Sequence, residues 1–431
     1  MIRILTYGEI PMEEILARDI PQASVADAVA EIIERVRREG DAALLDYCER
    51  FHNGVRPDPL RVTQEEIGAA VAAVDGAFLD VLATAADNIR AFHERQVHNS
   101  FVLNETEGVV LGQKIIPIEK VGLTVPGGAA PLSSTVLMNA IPAKIAGCRE
   151  LIMVTPAGPD GKISAAILAA AKVAGVDVIF KCGGAQAIAA LAYGTESVPR
   201  VDKIVGPGGA FVSEAKKQVF GQVSIDMIAG PSEILVVADG SSDPRHVAAD
   251  LLSQAEHDTM ASAVLVTDSA TLARAVQAEV ETQLAALPRQ EIARASVEAN
   301  GKIIVTPDIA TAIDIANALS PEHLELCVDN PFDYLDRVRN AGSIFLGQNS
   351  PEALGDYFAG ANHTLPTSGT ARFSSPLSVD DFVKKSQFIY YTKDAFAKVA
   401  HDIARFAREE NLEGHARSAL VRVEKENRSE P

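Results

Sequence analysis

The sequence has four cysteines in 431 residues, Cys48, Cys148, Cys182 and Cys327, and no two of them form a C-x-x-C pair. That excludes a zinc ribbon and a disulfide framework, and it leaves isolated buried thiols in a reducing compartment. Positive charge is also scarce: 39 Lys and Arg stand against 58 Asp and Glu, a formal net charge of −19. Without a basic footprint, neither nucleic acid nor an anionic membrane surface is an expected partner. No apolar run approaches the roughly 18–20 residues that span a bilayer. The start, MIRILTYGEIPMEE, lacks a basic region followed by an apolar stretch. A soluble, cytoplasmic protein is expected. With 47% hydrophobic residues, the chain has the means for two or three globular domains.

Residues 24–99 are patterned as helices, with Val25, Val29, Ile32 and Val36 on one face. From about Ile115 strands and helices alternate. Strands are expected at 120–125, 150–155, 176–181, 202–205 and 232–238, with helices between them. The alternation continues with a helix over 247–257, a strand at 262–267, one long helix, and strands at 302–305, 324–328 and 343–346. This is the signature of βαβ units on mostly parallel sheets, here as two α/β units with the first running to about Ser232. After Pro376 comes a tail, helical over about 393–411.

A dinucleotide fingerprint is missing: no G-x-G-x-x-G precedes an acidic residue about 20 positions on. Three Gly-rich turns nevertheless end strands, at Pro126-Gly127-Gly128, Gly183-Gly184 and 206–209. Amides at helix starts of this kind can receive a pyrophosphate. Taken singly, each turn reads better as a plain strand-to-helix connection than as a cofactor cradle.

The histidines separate into two groups. For His52, His93, His98, His246 and His401, surface or packing roles suffice. The other four lie in polar clusters. Gln254 and His257, three apart near a helix end, share a face and can present an oxygen and an imidazole nitrogen to one metal; a solvated helix end is the alternative. Glu322-His323, at the mouth of a strand, can serve as acid and base, or simply as a loop ion pair. The segment GDYFAGANHTLPT carries Asp356 and His363 on a long Gly-rich loop. EENLEGH brings Glu410 and His415 to the end of the tail helix, where frayed residues are the duller reading. Gln, His and Asp make an N/O donor set suited to zinc or a similar divalent ion.

Taken together, these segments resemble the histidinol dehydrogenase family. AGPSEILV, DLLSQAEHD, SPEHLEL, GDYFAGANHTLPTSGTARFSSPLSVDDF and the final GHA occur in the family's order. The resemblance implies that Gln254, His257, Asp356 and His415 are zinc ligands, with His415 reaching the metal of a partner subunit. It implies that Glu322 and His323 are the catalytic pair. Ser232, His363 and Glu410 fall on substrate-contact positions, where the zinc ligands and His323 also touch substrate. Gln186 falls on an NAD-contact position. Two NAD positions depart from the family pattern: Thr124 stands where Tyr is usual and Gly209 where Asn is usual.

The implied activity is oxidation of L-histidinol to L-histidine through the aldehyde, with two NAD and one Zn2+ per subunit, in a homodimer with shared active sites. The implied fold is α/β with two incomplete Rossmann-like parallel-sheet domains, an aldehyde-dehydrogenase-like architecture, and a C-terminal tail crossing to the partner. On that pattern 1–23 is an N-terminal segment, 24–123 with 233–377 forms the first domain, 124–232 the cofactor-side domain, and 378–431 the tail. Two rivals remain: a related dehydrogenase of another amino alcohol or sulfonated diol, and a ligand-binding paralogue without turnover.

Overall fold

The computed structural model describes residues 1–18, 25–52, 54–127 and 131–424. Gly128 of the first Gly-rich turn, Ser24, 19–23 of the N-terminal segment and the last residues of the tail lie outside them. The chain starts with β1 (Arg3–Thr6) and α1 (Met12–Leu16), then α2 (Ala26–Glu39), α3 (Asp41–Phe51), α4 (Gln64–Ala73) and α5 (Gly76–His93). A hairpin of β2 (Phe101–Leu103) and β3 (Val109–Pro117) precedes the first alternating stretch. This comprises β4 (Lys120–Thr124), α6 (Ser133–Ala146), β5 (Glu150–Val154), α7 (Ala165–Ala174), β6 (Val178–Phe180), α8 (Gly184–Tyr193), β7 (Lys203–Val205), α9 (Ala210–Val219) and β8 (Ser224–Ile225).

The second stretch runs through β9 (Glu233–Ala238), α10 (Pro244–Ala255), β10 (Ser262–Thr267), α11 (Ala270–Leu284), α12 (Gln290–Asn300) and β11 (Lys302–Val305). It continues with α13 (Ile309–Leu319), β12 (His323–Cys327), α14 (Phe332–Leu335), β13 (Ser343–Leu346) and α15 (Glu352–Tyr357). The chain then forms β14 (Val383–Tyr391), α16 (Lys393–Glu409) and α17 (Glu413–Leu420). Contacts group 1–97 with 118–382 into one unit, and 98–117 with 383–431 into another.

In the first unit two all-parallel sheets stand as expected. One has five strands in the order β6-β5-β4-β7-β8, the other six in the order β1-β11-β10-β9-β12-β13. The central strands read as unbroken apolar runs because helices cover both faces; all six residues of β9 are buried. Local signals set the helices between them. Thr63 and Glu66 form a reciprocal capping box at α4, and Asp243 caps α10 with Pro244 in its first turn.

Three expectations need correction. Helices of 26–93 were grouped with 233–377, yet their apolar faces pack on the five-stranded sheet. Val29, Ile32 and Val36 of α2 join Ile152, Val154 and Ile188, while Leu82, Ala86 and Ile89 of α5 join Val121, Leu137 and Met153. At about 1.5–3 kcal/mol per buried aliphatic side chain, these faces decide the placement. The single long helix after β10 is two, α11 and α12, because Pro288 in the intervening segment cannot continue a helical ladder. And α10 ends at Ala255, so His257 sits past the cap in a turn, its N–H donating to the Gln254 carbonyl at 3.2 Å, rather than on a shared helical face.

The second unit holds an antiparallel sheet, β14-β3-β2, that the sequence reading did not anticipate, plus α16 packed on α17 through Ala404, Ala407 and Ala416. Thr392 caps α16. Arg408 near the end of α16 binds Glu413, the first residue of α17, through two nitrogens at 2.8 and 2.9 Å. Among the described residues no single helix is long and apolar enough to cross a membrane. All four cysteines are free and buried, and burial pushes Cys48 up to about 12.

Candidate active site

The amino ends of β9 and β12 lie side by side, with His323 in register with Ile234 and Ser343. Glu233, at the first position of β9, has main-chain groups just where the ladder begins. Its N–H donates to Glu322 Oε2 at 2.9 Å, and its carbonyl faces His323 Nδ1 at 2.9 Å. A carbonyl can only accept, so Nδ1 carries the proton and Nε2 keeps its lone pair. That Nε2 is buried and unpartnered, 3.8 Å from Glu352 Oε1 and 4.0 Å from Asp356 Oδ1. His323, Glu352 and Asp356 bring one ligand atom each within 4.8 Å of one another.

Period-two alternation continues the charge along β12: His323, Glu325 and Cys327 share one face, while Leu324 and Leu326 enter the core opposite. Glu325 Oε1 accepts the Glu352 N–H at 2.7 Å, and Asp250 of α10 hydrogen-bonds the Glu325 carboxyl. Ser253 Oγ donates to Glu352 Oε2 at 3.1 Å. Asp356 comes one helical turn after Glu352 on α15, so the two carboxyls meet. From the far side, His363 places Nδ1 3.6 Å from Asp356 Oδ1 and 3.1 Å from the Asp356 carbonyl, with Thr135 Oγ1 3.3 Å from its Nε2.

Burial raises Glu322 well above the usual carboxylate range, against the opposing Glu233 N–H bond. Burial likewise lowers His323, favouring the neutral imidazole. Burial and the Asp356 charge push Glu352 up to about 8. Burial also opposes ionisation of Asp356, but its hydrogen bond to His363 and the nearby imidazoles prevail and hold it well below the ordinary range. One carboxylate stays ionised beside others that hold protons.

Ser232, Gln254, His257, Glu322, His323, Asp356 and His363, spread over 130 positions of sequence, all line one cavity of about 120 Å³. Leu132, Thr135, Gly206 and Pro207 close it from the five-stranded side. Gly206 has φ +117°, and a Cβ there would strike the Thr124 carbonyl. Thr124 ends β4 and is buried; Gly209 caps α9, where an added Cβ meets nothing. Gln186 in the first turn of α8 is buried with its Nε2 unpartnered. Glu410 and His415 belong to the second unit, at the end of α16 and in α17, both exposed. His93 is buried, with Nδ1 at the Ile89 carbonyl and Nε2 facing Asn362, a packing role.

Sequence reasoning missed Glu352, Glu325 and Glu233. Two signals were available: the i, i+4 spacing of Glu352 and Asp356, and the alternation His323-x-Glu325 in an apolar strand.

Carboxyl groups whose proton affinity burial raises, facing an imidazole with a free lone pair, mark an α/β enzyme site suited to proton transfer. Sequence comparison identifies which one. The sequence model of the histidinol dehydrogenase family matches residues 17–423. Histidinol dehydrogenases of Syntrophotalea carbinolica and Lactiplantibacillus plantarum are 54% and 55% identical to it, covering 98% and 94% of this chain and 99% and 95% of their own. The crystal structure of histidinol dehydrogenase from Elizabethkingia anophelis superimposes with a TM-score of 0.92 at 39% identity, covering 98% of each chain. The chain belongs to the histidinol dehydrogenase family and is a dehydrogenase.

Proposed function

We propose that the protein oxidises L-histidinol to L-histidine, through the aldehyde, in a zinc-dependent reaction with two NAD. The observation that carries the reading is the unpartnered, buried Nε2 of His323 opposite Glu352 and Asp356. That free lone pair suits a base, while the Asp356 carboxylate, lining the same cavity as Gln254 and His257, completes an N/O donor set that suits a divalent ion beside the C-terminal end of α10. Gln254, His257 and Asp356 would hold the ion, with His415 of the partner subunit as the fourth ligand. Bound zinc supplies an anchor for the amine and imidazole nitrogens of the substrate, and NAD supplies the hydride acceptor.

The protein's own groups do the proton work. His323, neutral and with Nδ1 tied to Glu233, uses Nε2 as the base that takes the hydroxyl proton while hydride leaves the carbon. Glu322, fixed through one oxygen and raised by burial, is a stronger base than an ordinary carboxylate once ionised. It activates the water that adds to the aldehyde, and the hydrate gives up the second hydride. His363 and Ser232 orient the substrate's polar groups, and Glu410 of the partner subunit accepts a hydrogen bond from its imidazole ring. On the cofactor side, Gln186 has a free amide donor, and the open start of α9 at Gly209 leaves room for a dinucleotide.

A homodimer is part of this reading. Ile389 of β14 and Phe406 of α16 are 73% and 70% exposed, and exposed large apolar side chains of this kind favour association. In the same reading 233–377 carries the catalytic groups, 124–232 the cofactor, and 378–431 reaches the partner.

The test is NADH formation from L-histidinol with and without zinc. Two NADH per histidine, lost on strong chelation and restored by zinc, is expected; full activity in a metal-free preparation overturns the metal assignment. Single-turnover traces of Glu322→Gln should show the second oxidation slowed about a hundredfold and the first nearly unchanged. Equal slowing of both steps removes the water-activating role.

A further inference from the structure

Arg18 follows α1, far from the site in sequence, yet its Nη1 lies 3.0 Å from Glu233 Oε1 and its Nη2 donates to the Leu319 carbonyl. The segment carrying it is firmly held. Ile15 is buried among Leu235, Val237 and Ile304, and Lys302 Nζ donates to the carbonyls of Glu14, Ile15 and Ala17. Glu233 is the residue whose N–H holds Glu322 and whose carbonyl holds His323. Its side chain is buried, with 8% exposure, and the Oε2 atom has no partner. Arg18 is thus the only cation in an ion pair with this carboxylate among the described residues.

We propose that Arg18 is a positioning residue for the acid/base pair, acting through Glu233. The proposal rests on the reading of Glu322 and His323 as that pair. Glu233 opens β9, where a parallel ladder has its first rung and the peptide is least constrained. The carboxylate clamped by Arg18 fixes the rotation of this residue. The same peptide then presents its N–H to one catalytic group and its carbonyl to the other, so one ion pair sets the orientation of both. Without Arg18, a buried and uncompensated carboxylate must take up a proton or turn toward water, and either movement swings the peptide. Main-chain displacement of that size is felt in turnover far more than in substrate affinity, because the residues assigned to the cation, Gln254, His257 and Asp356, come from α10, the turn after it and α15.

The experiment compares wild type, Arg18→Met, Arg18→Lys and Glu233→Gln as full-length, zinc-loaded proteins, and repeats Arg18→Met in a His323→Asn background. Arg18→Met should lower kcat about ten- to a hundredfold at a temperature where the variant is fully folded, with KM for histidinol and zinc content close to wild type. Arg18→Lys should recover most of that loss. Glu233→Gln, which keeps the side-chain shape but removes the charge that Arg18 grips, should show the same kcat defect and carries the test should Arg18→Met not fold. In the His323→Asn background Arg18→Met should add less than about a twofold change, since no imidazole is left to position and the step that Glu322 serves is no longer the slow one. Unaltered kcat in Arg18→Met or Glu233→Gln overturns the proposal, as does the same factor lost in both backgrounds. If His323→Asn itself turns over normally, the acid/base reading falls and takes the proposal with it. An inactive His323→Asn beside a fully active Arg18→Met removes the proposal alone.

Discussion

The two parallel sheets of the first unit meet the same cavity with opposite ends. The five-stranded sheet offers the carboxyl ends of β4 and β7, where open α/β sheets ordinarily bind ligands. The six-stranded sheet offers the amino ends of β9 and β12. At a carboxyl end the chain turns toward a helix, and its contribution is largely main chain at Gly206 and Pro207, beside Leu132 and Thr135. At an amino end the strands supply side chains directly, and Glu233, Glu322 and His323 converge on the first rungs. One sheet contributes a shaped backbone, the other a cluster of titrating groups.

That contrast predicts where substitutions act. The largest effect belongs to the amino-end cluster: His323→Asn should reduce kcat about a thousandfold while NAD affinity, measured by titration, stays unchanged. Next comes the clamp on the other sheet. Lys216 and Asp226 form an ion pair buried on both sides, and together they grip Gly206 by its N–H, at 2.7 Å, and by its carbonyl, at 2.9 Å. Lys216→Met leaves Asp226 uncompensated and should cost about 3–5 kcal/mol in denaturant unfolding, with weaker NAD binding. Unchanged stability would mean that the turn holds itself.

A smaller effect is expected at Glu352. Its carboxyl hydrogen-bonds Asp356 and Gln254, so Glu352→Gln should weaken zinc retention about ten- to a hundredfold in a chelator competition. The smallest effect concerns pH. Burial raises both Asp250 and Glu325, so the folded protein keeps a proton that an unfolded carboxyl near 4.3 would release. The folded state therefore binds more protons, and this contribution to stability is lost as pH rises from the unfolded toward the folded value. Glu325→Gln should flatten the decline of the thermal midpoint as pH rises above the ordinary carboxylate range. A slope that stays the same would show that the pair's proton is not what varies.

How far the sequence disclosed all this follows from how local each signal is. Helix faces, strand runs and Gly turns were readable because period and punctuation are properties of neighbours. Val29, Ile32 and Val36 announced a buried face, though not which sheet would receive it. β14 was not readable: in VKKSQFIYY, polar residues at the start hide the strand, and its partner β3 lies over 260 positions away. The site's polar residues stood out as clusters, and family motifs gave them roles. Glu233 and Arg18 did not, because an acidic residue starting a strand and an arginine in an N-terminal segment look ordinary until the fold brings them together.

The six-stranded sheet has one more property, set by order of synthesis. Its edge strand β1 is made of residues 3–6, but the strand it pairs with, β11, is made of residues 302–305. A ribosome has to polymerise some three hundred residues before the first strand has a neighbour. Until then an apolar segment with open hydrogen-bonding edges waits outside the tunnel. The five-stranded sheet, drawn from a stretch of about a hundred residues, can close early. The older half of the nascent chain thus completes a platform while its own beginning is still waiting for its place.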